Sequence, residues 1–144
     1  MKIGLVLSNP PAYSETFFNS KIKGLQSNGF EVILFTQKGN PEFELCKVVT
    51  APKVHTNSIL QLFSMLSVFL SLLAKLSVVK RYVALERNEQ TSWFNLIKKI
   101  YLNAHLLKSN VDCLHFGFAT QAIGSEFVAQ AIGAKMAVSF RGFD

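Results

Sequence analysis

The chain has 144 residues, 49% of them hydrophobic, and a net charge of +6, which suits one folded domain with a sizeable core. This composition excludes a disordered or fibrous protein. The apolar run at residues 3–7 is too short for a secretion signal and leads into two prolines without a cleavage site. We therefore expect a cytoplasmic protein.

The positive charge is concentrated in the middle of the chain. Residues 75–108 contain seven Lys and Arg but only two Glu. Such a zone favours an anionic membrane surface or a phosphorylated ligand, and a solvated face without a partner is the open alternative. No helix-turn-helix, RNA-recognition signature or zinc-finger spacing accompanies the charge, so nucleic acid is not an expected partner.

Metal and redox chemistry have little support in the sequence. Cys46 and Cys113 are isolated in apolar segments, which predicts buried free thiols rather than a disulfide or a zinc site. His105 has no second ligand at metal-binding spacing and is interpreted as a helix-packing residue. No metal site and no cofactor are predicted.

The first 36 residues have the pattern of a strand, a helix and a strand. The continuous apolar runs at 2–8 and 30–36 predict strands buried on both faces of a parallel sheet. Between them, apolar residues at helical spacing end at Asn28-Gly29, which predicts a helix. This order and length are typical of a right-handed βαβ unit.

A weaker strand at 44–50 precedes a long apolar segment, 57–81, which predicts an amphipathic helix. Its serines, Gln61 and Lys75 recur every three or four residues among large apolar side chains. The length suffices to span a bilayer, but the regular polar positions favour a helix packed on the sheet. Helices that also touch a membrane, or that cross it, remain alternatives.

Residues 91–110 predict another helix, with Lys98 and Lys99 facing outward. The side chains predicted to face inward are Trp93, Leu96, Ile97, Ile100, Tyr101 and Leu107. The chain continues with a strand at 111–117, a helical segment at 119–134 and a strand at 135–140.

Together these elements predict an α/β fold: a doubly wound, Rossmann-like three-layer sandwich with a mostly parallel sheet of about five strands. No linker or repeat divides residues 1–144, so a single domain is expected. The sequence reaches its last residue directly after a strand, with no helix left to cover that side of the sheet. We therefore expect the chain to be part of a longer protein.

Three unusual stretches follow predicted strands, at residues 8–16, 115–120 and 141–144. In open parallel sheets, ligands bind beyond the carboxyl ends of the strands, where these stretches should meet. The fingerprints of dinucleotide-binding, P-loop, α/β-hydrolase and zinc-protease sites are missing from the sequence. The predicted site is therefore not of any of these four classes.

In the first stretch, Asn9 and the prolines lead to Ser14, Glu15 and Thr16 at a helix amino terminus. Unpaired backbone N–H groups there could hold a phosphate, and Glu15 could accept from a sugar hydroxyl. The alternative is simple helix capping, in which the carboxylate complements the helix dipole.

The other two stretches supply polar residues at the ends of strands. His115 could meet a ligand, or bond to a neighbouring carbonyl, while Gly117 lets the backbone turn. The last stretch contains Arg141, Gly142 and Asp144. Arg141 could pair with a phosphate, or with a carboxylate of this chain.

The segments "MKIGLVLSNPPAYSETFFNSKIKGLQSNGFEVILFT", "VDCLHFGFAT" and "AVSFRGFD" in this order resemble the amino-terminal domain of family 4 retaining glycosyltransferases with the GT-B fold, of the exopolysaccharide and colanic-acid type. The resemblance spans both ends of the chain but hardly covers residues 40–100. It implies sugar transfer from a nucleotide-sugar donor to a lipid-linked or saccharide acceptor, with no obligatory metal, in a cytoplasmic protein peripheral to the membrane.

Carried over by motif, His115 and Arg141 are the candidate catalytic residues. The candidate substrate-binding residues are Asn9, Ser14, Glu15, Thr16, Gly117, Gly142 and Asp144. The family's Arg/Lys pair and E-x7-E element belong to a second domain that this sequence lacks, so we expect residues 1–144 alone to be inactive. The competing hypothesis is a non-catalytic α/β module that binds an anionic membrane or a protein.

Overall fold

The centre of the molecule is a five-stranded parallel sheet. In this computed structural model, which describes residues 1–11 and 16–140, the strands are β1 (Lys2–Val6), β2 (Glu31–Thr36), β3 (Lys47–Thr50), β4 (Cys113–Phe116) and β5 (Lys135–Val138). Their order is β3-β2-β1-β4-β5, and every neighbouring pair is parallel. The strand order therefore changes direction between β1 and β4. The predicted Rossmann-like α/β fold is confirmed.

The described helices are α1 (Thr16–Ser27), α2 (Ser58–Leu72), α3 (Leu76–Asn88), α4 (Trp93–Leu107), α5 (Ala119–Ala122) and α6 (Val128–Ile132). Two predicted helical segments are each divided. A 3₁₀ turn, Leu73–Lys75, separates α2 from α3, and Gly124, with φ of 80°, lies between α5 and α6. Side chains cap two helices: Asn57 accepts N–H groups of α2, and Ser92 accepts one of α4.

Helices cover both faces of the sheet and create two apolar cores. On one face α1 packs over β1 and β2, and the buried residues are Leu5, Leu7, Phe18, Ile22, Val32 and Leu34. On the other face α3, α4 and α6 pack around buried residues that include Tyr82, Leu96, Leu107, Leu114, Phe116 and Val128. Because successive strand residues point to opposite faces, Leu5 and Val6 belong to different cores.

Helix α2 packs against α4 with its polar side. Ser64 Oγ lies 2.7 Å from Tyr101 Oη, and Lys108 Nζ donates to Ser71 Oγ at 3.1 Å. In both pairs the partners are 37 residues apart in sequence, so the two helices run parallel. Gln61, also on the polar side, accepts the backbone N–H of His55 at 2.8 Å. The predicted polar positions of this segment are therefore turned toward the protein.

The other side of α2, with the 3₁₀ turn that follows it, exposes a row of large apolar side chains. This apolar stripe consists of Ile59, Leu62, Phe63, Leu66, Leu70 and Leu73, each more than half exposed. At about 100° per residue, all six project from one side of the helix. The segment is amphipathic, as predicted, but its apolar side faces outward.

By length and composition alone, Ser58–Asn88 could cross a membrane. It is the one segment of the described residues that meets these criteria. Only 11% of its most apolar 18-residue window is buried, unlike the mostly buried core helix of a soluble domain. Burial in the protein therefore does not account for the apolar character of this segment.

Part of the predicted orientation of α4 is wrong. Trp93 and Ile97, which were predicted to face inward, are 62% and 44% exposed. The first turns of α4 extend past the apolar core to the carboxyl edge of the sheet, where Arg87 lies 4.8 Å from the Trp93 ring centroid. Lys99 was predicted to face outward, but its ammonium group turns inward to the buried Glu86. Only its neighbour Lys98 is exposed as predicted.

Candidate functional site

A cleft of about 1260 Å³ opens at the carboxyl edge of the sheet. Its floor is formed by the ends of β1 and β2, at residues 6–8 and 35–39, and one wall by residues 50–55 after β3. The first turns of α4 and the loop between α5 and α6 complete it. Ligands of open parallel sheets bind at this edge, beside the change in strand order.

The cleft is cationic. Lys38, Lys53, Lys98 and Lys99 line it, and none of the described lining residues carries a carboxylate. Most of the other polar lining groups are hydroxyls and amides, contributed by Thr36, Gln37, Thr50, Thr91, Ser92, Asn95, Asn103, Gln121 and Ser125. Ammonium groups attract anions, and neutral hydroxyls and amides can hydrogen-bond to a polyhydroxylated ligand.

A buried ion pair supports the wall of the cleft. Glu86 on α3 is fully buried, and Lys99 Nζ donates to its two carboxylate oxygens at 2.8 and 3.0 Å. Thr91 Oγ1 also donates to this carboxylate, at 2.9 Å. The pair joins α3 to α4, so Lys99 has a structural role. The other three lysines are exposed and form no ion pair with a carboxylate of the described residues.

A second polar group joins α4 to the loop after α5. Asn103 Nδ2 donates to the Gly124 carbonyl at 2.8 Å, and Ser125 Oγ donates to Asn103 Oδ1 at 2.7 Å. Burial, followed by the charge of Glu86, raises the pKa of the adjacent Tyr82 well above its usual range. This phenol therefore stays protonated and neutral, and it adds no charge to the buried network.

Sequence reasoning did not identify this network or the lysines before α2. One signal was present: Val78, Tyr82 and Glu86 recur at four-residue spacing, so a lone carboxylate continues an apolar helix face. Such a buried acid requires a cationic partner, because an unpaired carboxylate is costly to desolvate. The identity of that partner, thirteen residues further on, depends on how α3 and α4 pack.

His115 lies on the α1 side of the sheet, because it pairs in register with Leu5. Lys21 Nζ donates to His115 Nε2 at 3.1 Å, and Ser139 Oγ lies 2.8 Å from the same nitrogen. Burial lowers the pKa of His115, and the Lys21 ammonium lowers it further. The imidazole is therefore neutral at pH 7 and joins α1 to the end of β5.

The other described candidates lie at the same edge but have different surroundings. The Gly117 N–H donates to the Val6 carbonyl at 2.9 Å, and a Cβ at this glycine would overlap the Leu7 side chain and lie 3.1 Å from the Phe18 ring. Asn9 is exposed after β1, and Thr16 is exposed at the start of α1. None of the four described candidates, His115 included, is among the residues that line the cleft.

The remaining candidates, Ser14, Glu15, Arg141, Gly142 and Asp144, lie outside the described residues. The strands that lead to them end at the same edge of the sheet as β4. Beyond the strands, the N–H of Gly117 bonds to Val6 and that of Ser139 bonds to Phe116, at 2.9 and 3.0 Å. The chain therefore enters all three predicted stretches at the carboxyl edge of the sheet.

The described residues contain no group of three His, Cys, Asp or Glu side chains that could hold a metal ion. Cys46 and Cys113 are free thiols, as predicted, but half-buried rather than fully buried. Burial lowers the pKa of His105 to about 4, and its ring lies 6.0 Å from that of Phe35. These contacts agree with a histidine that packs a helix onto the sheet.

Searches against protein-family models, curated proteins and solved structures found no match to this chain.

Proposed function

We propose that this chain is the amino-terminal, acceptor-side domain of a glycosyltransferase that transfers a sugar from a nucleotide-sugar to a lipid-linked or saccharide acceptor. The observation that carries the proposal is the cleft at the carboxyl edge of a Rossmann-like sheet, which is cationic and lined by hydroxyls and amides. The sequence resemblance at residues 1–36, 111–120 and 137–144 adds independent support.

The cleft suits a ligand that combines sugar hydroxyls with phosphate. Lys38, Lys53 and Lys98 would contribute to binding the anionic part, because their ammonium groups face the cleft without a carboxylate among the described lining residues. Asn95 and Ser92, at the first turns of α4, would accept or donate hydrogen bonds to hydroxyls. These groups bind and orient an acceptor; none of them is a strong base.

His115 would act as a positioning residue in this scheme. Its Nε2 accepts from Lys21, so the neutral imidazole holds α1 and the end of β5 at a fixed distance. Neutralisation of the departing diphosphate would fall to groups of a donor-binding domain. We therefore expect residues 1–144 alone to bind acceptors but to transfer no sugar.

Titration by NMR tests acceptor binding directly. With glucose 1-phosphate as the probe, the backbone amides of Lys38, Asn95 and Lys98 should shift, and free glucose or inorganic phosphate should bind more weakly. The double variant Lys38→Ala/Lys98→Ala should weaken binding by roughly tenfold or more, because two charge-assisted contacts are lost. Lys23→Ala/Lys47→Ala, at two exposed lysines outside the cleft, is the charge-matched control and should bind like the parent chain.

The coding sequence provides the second test. A reading frame that continues into another Rossmann-like domain with an E-x7-E element would support the proposal. A stop codon directly after Asp144 would contradict it, as would sugar transfer by the purified 144-residue chain.

A further inference from the structure

The neighbouring helix α4 also exposes large apolar side chains. Ile97 and Phe94 lie one and two turns before Tyr101 on the side of α4 that faces α2, and they are 44% and 79% exposed. Because the two helices run parallel, these side chains lie level with the start of α2. Exposed apolar surface of this extent on one side of a domain marks an interaction site.

The sequence around the stripe is free of acidic residues. Between Glu44 and Glu86 there is no Asp or Glu, whereas the cations are Lys47, Lys53, Lys75, Lys80 and Arg81. Lys53 precedes the stripe and Lys75 ends the 3₁₀ turn that follows it. The stripe therefore belongs to a segment, residues 45–85, whose charged side chains are all cations.

We propose that the apolar stripe docks this protein on an anionic lipid surface, with α2 lying in the plane of the membrane. Its Leu, Ile and Phe side chains enter the boundary between headgroups and acyl chains, and the excess of cations in residues 45–85 attracts the anionic headgroups. This inference concerns α2 alone and does not depend on the proposed sugar transfer.

Charge complementarity favours lipid over a second copy of this chain. Two copies joined through their stripes would bring their cations together. This region has no acidic residues to pair with them, so the two copies would repel each other. The polar side of α2 argues against a spanning helix, since Ser64 and Ser71 contact Tyr101 and Lys108 of α4. Crossing the bilayer would break these contacts and would bury Lys75 in hydrocarbon.

Flotation with lipid vesicles tests the proposal. The parent chain should float with vesicles of phosphatidylcholine and phosphatidylglycerol, less so at high salt, and only weakly with phosphatidylcholine alone. Leu66→Glu should lower binding by about tenfold or more, because it removes apolar area and adds like charge to the anionic surface. Phe140→Glu makes the same change in charge at an exposed residue after β5 and should bind within about twofold of the parent chain.

Both positions are exposed, at 56% for Leu66 and 83% for Phe140, so the variants should fold, which circular dichroism verifies. Equal binding of Leu66→Glu and the parent chain would overturn the proposal, as would equal binding to neutral and anionic vesicles. A dimer in light scattering without lipid, lost in Leu66→Glu, would assign the stripe to a second copy instead. Bound protein should be released by alkaline carbonate, and its retention would overturn the in-plane orientation.

Discussion

The parallel helices α2 and α4 contact each other but differ in which side chains they bury. α4 turns most of its apolar residues into the core and uses Lys99 to neutralise a buried carboxylate. α2 turns serines toward α4 and leaves its largest apolar side chains in contact with solvent. Helix α4 is therefore stabilised by the domain itself, whereas the apolar side of α2 is left uncovered by the described residues.

The largest effect is expected at the ion pair of α4. Lys99→Met should lower the free energy of unfolding by about 3 kcal/mol or more, because Glu86 would be left as a buried carboxylate without a cation. Lys98→Met changes the neighbouring exposed lysine in the same way and should cost less than about 0.5 kcal/mol. Urea denaturation followed by circular dichroism measures both. Equal midpoints for the two variants would show that the Lys99 ammonium does not stabilise Glu86.

The adjacent lysines also show what sequence can and cannot predict. Helical periodicity located both on one segment, just as continuous apolar runs located the strands β1, β2 and β4. It could not distinguish Lys98 from Lys99, because the difference arises from Glu86 on another helix. The orientation of α2 was equally inaccessible, since apolar residues occupy most of its circumference and periodicity identifies the polar positions but not the side that meets the domain.

The edge of the sheet that carries the candidate site was predictable from the sequence, but the cleft was not. Topology alone places the ends of parallel strands at one edge, so the approach of residues 8–11 and 115–118 to that edge was predictable. The cleft, however, lies on the α4 side, and its Lys38 and Lys53 come from loops that carry no motif. Which side of the edge is open depends on helix packing, and short-range patterns contain no information about it.

The stability contributed by α4 should depend on pH through His105, whereas α2 has no titratable side chain. The pKa of His105 is lowered from 6.5 to about 4 by burial. Between these values the unfolded chain binds a proton that the folded chain does not, so stability is complete above pH 6.5 and decreases as the pH falls toward 4. The contribution is on the order of 3 kcal/mol.

The variant His105→Leu isolates this effect, because it removes the titrating group from the same site. The difference in unfolding free energy between the parent chain and this variant should change with pH between 6.5 and 4 and level off above 6.5. An NMR titration of the His105 ring should give a pKa well below 6.5. A difference that stays constant with pH would show that the imidazole is solvated in the folded chain.

The smallest effect is expected within α2, where Leu72 lies on the buried side and Leu70 on the exposed side. Leu72 is 3% exposed and contributes to the core, so Leu72→Ala should cost about 2 kcal/mol, the low end for a buried leucine because α2 lies at the surface. Leu70 is 57% exposed, and Leu70→Ala should cost less than about 0.5 kcal/mol without lipid. The chemical change is the same at both sites, so the difference reports which side of α2 meets the domain. Equal losses would mean that Leu70 is covered in solution, and the apolar stripe would then be an internal contact rather than a free surface.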